Sequence, residues 1–130
     1  MSLHDRPTPA EILEAVREYL LEEVAPTADR RARFRALIAA NVLAIAEREL
    51  ATAEEDGAAQ ESGLRALGYA GGGEDSRRRL CAEIRAGRYD EPEDFAAALE
   101  FACAMTARKL AVSNPRFDLG EPSVAEVEQR

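Results

Sequence analysis

The sequence has no tryptophan, one histidine and two cysteines, and each scarcity narrows the functions open to it. His4 stands alone in a loose N-terminal segment, so a histidine-based acid–base or metal site would need a second chain. Cys81 and Cys103 lack a C-x-x-C pair or a neighbouring histidine. Two isolated thiols of this kind predict buried, reduced side chains. β-Branched and aromatic residues are sparse, which disfavours sheet. The longest weakly charged stretch, 95–107, is broken by Glu100, too short and too charged to span a bilayer. The opening MSLHDRPTPAEILEAV has no apolar core of a secretion signal. The expectation is a soluble, cytoplasmic protein. A basic balance is also lacking: the formal charge is −8, which argues against nucleic acid and anionic membrane as partners. There is no G-x-x-x-x-G-K-[ST], G-x-S-x-G, H-E-x-x-H or EF-hand pattern. No catalytic residue, cofactor or metal site is predicted.

What the sequence does contain is helix. The 130 residues are 46% apolar, rich in Ala and Leu, which suits one helical domain with its own core. Thr8-Pro9-Ala10-Glu11 is a capping-box start with proline at the first helical position. Ile12, Val16, Tyr19 and Leu20 recur at helical spacing, predicting a first helix from Pro9 to about Ala25, stopped by Pro26. Thr27 is placed to cap a second helix carrying Phe34, Leu37, Ile38, Val42 and Ile45, running to about Glu54 and broken at Asp56-Gly57. A short third helix spans about 58–68 and a fourth about 74–86. Asp90 and Glu93 mark a fifth, from Pro92 to Val112, ending before Pro115. The reading is an all-α antiparallel bundle of four or five helices over 8–115, with a flexible segment at 1–7 and a partly disordered tail at 116–130. Helices one, two and five should form the core. The alanine-rich fifth should be the most buried, so that Leu99→Ala costs roughly 2–5 kcal/mol.

Two groups of polar residues stand out. Glu22 and Glu23 end the first helix while Arg30, Arg31, Arg33 and Arg35 begin the second, each set opposing its own helix dipole. Mutual neutralisation across the turn explains them. So does an anion site, if the fifth helix brings Arg108, Lys109 and Arg116 to the same pole. Within LIAANVLAIAEREL (37–50), Asn41 lies at the centre of the apolar stripe and Arg48 on the same side two turns on. The stripe predicts a buried Asn41, bonded to a loop carbonyl, Thr106 or a ligand, and an Arg48 paired with an acid.

Three stretches, DRPTPAEILEAVREYLLEEV (5–24), RFRALIAANVLAIAEREL (33–50) and RKLAVSNPRF (108–117), resemble a family of small all-helical bacterial domains of unknown function. Those domains are encoded beside aminoglycoside-phosphotransferase-like kinases and acyl-CoA dehydrogenase-like enzymes. The resemblance implies a non-catalytic accessory or interaction module, with such an enzyme as protein partner, and it leaves a homo-oligomer open. The alternative is a small-ligand protein binding an anion or an acyl-CoA-type compound. Asn41, Arg48, Glu49, Lys109, Asn114 and Arg116 match the family's recurring polar positions. With Arg30, Arg31 and Arg33 they form the candidate ligand-site or polar-anchor set.

Overall fold

The computed structural model describes residues 3–118. All regular structure among them is helical. The capping box forms as the sequence predicts: Thr8 Oγ1 accepts from the Glu11 N–H at 3.2 Å, and Glu11 accepts from the Thr8 N–H at 2.7 Å. Helix α1 (Pro9–Tyr19) does not stop at Pro26. It passes through a π-turn, Leu20–Val24, into a last turn, α2 (Ala25–Thr27). A proline removes one helical donor and crowds the carbonyl four residues back. The widened π-turn directly before Pro26, closed by the Ala25 N–H on the Leu20 carbonyl, absorbs that misfit. Thr27 therefore belongs to the end of this rod, donating to the Glu23 carbonyl. Asp29 caps the next helix instead, accepting from the Ala32 N–H at 2.9 Å.

That next helix corrects a larger expectation. The predicted second and third helices are one, α3 (Arg30–Ala66), of 37 residues, about 55 Å long. Asp56-Gly57 does not break it. An interior glycine costs only about 1 kcal/mol against alanine, and Asp56 is held in place by Thr52 and Arg108 rather than competing for the backbone. A hairpin follows: α3 ends in a Schellman cap at Gly68 (φ +96), with the Tyr69 N–H bonded to the Leu64 carbonyl. Gly71–Gly73 lead into α4 (Gly73–Arg85), which closes on a second such cap at Gly87. Last comes α5 (Pro92–Ser113). Its cap residue is Glu91, without a side-chain bond. Asp90, the predicted cap, turns back towards Gly87.

Helix α3 is the spine. The α1 rod runs antiparallel along its first half, where Arg17 meets Glu47 at 2.6 Å and the small side chains of Ala25, Ala36 and Ala40 are buried. Helix α5 runs antiparallel along the second half, with Phe101 against Gly63 and Arg108 on Asp56. The main cluster of large buried side chains lies at the far end of α3. It is a hub of Leu64, Tyr69, Leu80 and Tyr89, backed by Leu67, Ala98 and Phe101. No residue of α5 is buried, contrary to the expectation that it is the most enclosed helix. It has one neighbour along its length, and Phe95 and Leu99 face outward at 57% and 49% exposure. Both cysteines are exposed thiols, not buried ones. Each lies one or two residues past an inward-facing side chain, Leu80 or Phe101, and each residue step turns a helix by 100°.

Candidate functional site

Three places gather polar chemistry. The first is the hub. Two helices that stop on glycine deliver Tyr69 and Tyr89 into one core, and their hydroxyls meet at 2.7 Å. The Tyr69 hydroxyl also donates to the Glu83 carboxylate. Arg79 lies over the Tyr69 ring and Arg88 over the Tyr89 ring, at 5.4 and 5.1 Å. Burial first, then the bonds to Glu83 and Tyr89, push the Tyr69 phenol above its ordinary value. It stays protonated at neutral pH and is a donor, not a base. For Tyr69 the sequence signal is its place directly after Gly68, where a Schellman cap makes its apolar contact; Tyr89 lies two residues past Gly87.

The second place is the groove between α3 and α5, lined by Glu49, Asp56, Gln60, Met105, Arg108 and Lys109 among others. Arg108 reaches Asp56 at 2.7 Å and Glu55 at 3.6 Å. Thr52 donates to the other Asp56 oxygen at 2.7 Å. These two bonds, that from Thr52 foremost, hold the Asp56 carboxyl below its ordinary value. A depressed folded pKa stabilises the fold above the unfolded pKa, and the contribution is lost as pH falls through the folded value. Thermal melts of Asp56→Asn and the parent are expected to differ at about pH 7 and to converge as the pH falls through and below the ordinary carboxyl range. A gap of undiminished size in acid would mean that Asp56 acts through packing rather than charge.

The third place is a cleft lined by Arg30, Arg31, Arg33, Phe34 and Leu37 at the start of α3. Arg33 is committed elsewhere: its Nε donates to the Ala25 carbonyl at 2.9 Å and its terminal nitrogen to Pro26 at 3.5 Å. It caps the end of the first rod in place of the expected pairing with Glu22 or Glu23. Among the described residues, Arg30 and Arg31 make no ion pair.

The predicted residues thus divide. Arg108 and Lys109 do not join the basic pole. From Arg31 to Asp56, the partner of Arg108, is 25 positions along α3, roughly 37 Å. Among the described residues, Arg48 pairs with no acid. Its Nε donates to the Val112 carbonyl at 2.7 Å, capping α5 as Arg33 caps the α1 rod, which suits a cation at a helix C-terminus. Glu49 and Lys109 share the groove. Asn114 is the exposed C-cap of α5, and Arg116 is exposed beyond it. Asn41 is exposed, which overturns the expectation of a buried structural amide: α5 ends before it reaches that part of the stripe. The tail expectation for 119–130 lies outside the described residues.

A family model described as a domain of unknown function, DUF6285, matches residues 26–117. The chain belongs to the DUF6285 family. The match takes in α3, α4 and α5, and so the spine, hub and groove; the α1 segment of the stretch 5–24 lies outside it. No curated protein and no solved structure matches the DUF6285 chain. Among its described residues, no group of three or more His, Cys, Asp or Glu side chains is placed to hold a metal ion. No described helix is long and apolar enough to cross a membrane.

Proposed function

We propose that this DUF6285 chain is a non-catalytic helical interaction module. The observation that carries the reading is the number of large apolar side chains left at the surface of a 14.2 kDa protein. Ile12, Val16 and Tyr19 fall at helical spacing on one side of α1, and Phe95 and Leu99 on the outer side of α5, all about half exposed. Scattered apolar residues are ordinary on a surface, but runs along a helix face mark contact sites. The resemblance of its motifs supports a phosphotransferase-like or acyl-CoA-metabolising enzyme as the partner, in a cytoplasmic setting. A photoreactive residue at Val16 or Leu99, irradiated in native cell extract, is expected to yield an adduct with a second, different protein. Adducts only with other copies of the chain, or none, would overturn the reading. The cleft of Arg30 and Arg31, which make no ion pair among the described residues, favours a second reading, capture of an anion or acyl-CoA-type ligand. Titration of phosphate or a CoA compound tests it, with binding expected to fall in Arg31→Ala.

A further inference from the structure

The apolar stripe of α3 is covered over only half its length. Positions 52, 56, 59 and 63 share one helical face with 34, 38, 41 and 45. Helix α5 lies over the former group and ends at Ser113, beside Arg48. Beyond that point no element among the described residues covers the same stripe. Phe34 is 64% exposed and Val42 57%, with Leu37 and Ile38 near half, and Asn41 stands exposed in their midst.

We infer that this bare half-stripe pairs antiparallel with its counterpart in a second copy of the chain; the inference rests on the interaction-module reading and assigns one of its surfaces. Two arguments support the pairing, and the first of them chooses a second copy over another occupant. The first is charge. An antiparallel pairing centred between Ala39 and Ala40 sets Phe34 against Ile45 of the second copy, Leu37 against Val42 and Ile38 against Asn41. In that register Arg30 falls opposite Glu49 of the second copy, twice over by the two-fold symmetry. Neither Arg30 nor Glu49 has an ion-pair partner among the described residues. The sequence therefore carries its own complement: basic at one end of the stripe, acidic at the other, apolar between. The two Asn41 amides come within three residues of each other, roughly 4.5 Å along the axis. That is the place where a single polar pair fixes register between apolar helices. Helix α5 does not obstruct this. With Arg108 level with Asp56 and Phe101 level with Gly63, α5 of the second copy stops level with the residues just before Arg30.

The second argument is area. The chain exposes 10575 Å², where a compact monomer of its mass exposes about 6,800 Å². Full extension of the residues outside 3–118 would account for about 2,200 Å² of the difference. At least roughly 1,600 Å² remains, against the ~800 Å² that each partner gives to a standard interface and the larger share it gives to an obligate one.

Sedimentation equilibrium of the full chain tests this. The expected mass is twice 14.2 kDa at micromolar concentration. Ile38→Glu should weaken association by at least ~100-fold while circular dichroism shows helicity retained. Arg30→Glu and Glu49→Arg should each weaken it, and an equimolar mixture of the two variants should recover it as a heterodimer. A dimer indifferent to Ile38→Glu, or a mixture that recovers nothing, would overturn the assigned surface. A wild-type chain that stays monomeric at about 100 μM overturns the proposal in either of two ways. If the monomer binds an apolar dye, the exposed-face reading of the function stands without self-pairing. If it binds no dye, that reading falls too.

Discussion

Leu64→Ala is expected to cost about 2–5 kcal/mol and to loosen the hub as a unit. Leu64 is 0% exposed and is the one large side chain fully enclosed among the described residues. It stands where the end of α3, the Schellman cap, α4 and the approach to α5 converge. Truncation leaves a cavity under the Tyr69 and Tyr89 rings that the stiff caps at Gly68 and Gly87 cannot readily collapse. The chain has no tryptophan, and two of its three tyrosines lie in this hub, so tyrosine emission during urea unfolding reports on it directly. A midpoint shift worth less than about 1 kcal/mol would place the stabilising core elsewhere along α3. Leu99, the position that the sequence nominated, is half exposed and should cost far less.

Gly63→Ala is expected to destabilise, against the general rule for a glycine inside a helix. Alanine normally gains about 1 kcal/mol there. At Gly63 an added Cβ would sit 2.6 and 2.7 Å from two carbons of the Phe101 ring, closer than side chains approach. Phe101 is wedged between α3 and the hub, so relief requires α5 to move, and overpacking of this kind costs about 1–3 kcal/mol. A double-mutant cycle with Phe101→Leu separates the terms: in the smaller background Gly63→Ala should be neutral or stabilising. Gly57 is the internal control, since a Cβ there meets nothing and Gly57→Ala should stabilise. Equal effects at 57 and 63 would remove the close approach as the reason for the glycine.

The Gly63 site shows what a single sequence conceals. Read along the chain, Gly63 weakens a short helix; in the structure it is the seat of a ring 38 positions later. The same holds for Arg108 on Asp56 and Arg48 on the Val112 carbonyl, separated by 52 and 64 positions. Charge type and helical phase were readable, and they named Arg48 and Arg33 as unusual. Their partners were not, because a long cation satisfies a carboxylate or a helix-end carbonyl equally well. Asn41 differs from its expectation for a related reason. Its phase does place it on the apolar stripe, but burial depends on where the opposing helix ends, which no periodicity encodes.

Local interactions set by the sequence determined a good deal: the all-helical class, the capping box at Thr8, the helix ends at Gly68 and Gly87, and the span of α5 from Pro92. These follow from φ preferences, capping atoms and 3.6-residue spacing, which act within a few positions. Tertiary structure decided the rest. It fused two expected helices across Asp56-Gly57, because ties from Thr52 and Arg108 outweigh one glycine. It let α1 run past Pro26 through a π-turn. It also gathered the core at the Leu64 hub and left the Asn41 half of the stripe bare. Apolar periodicity says that a helix face seeks cover; only the relative lengths of α3 and α5, set against each other in space, say how much of it this chain supplies.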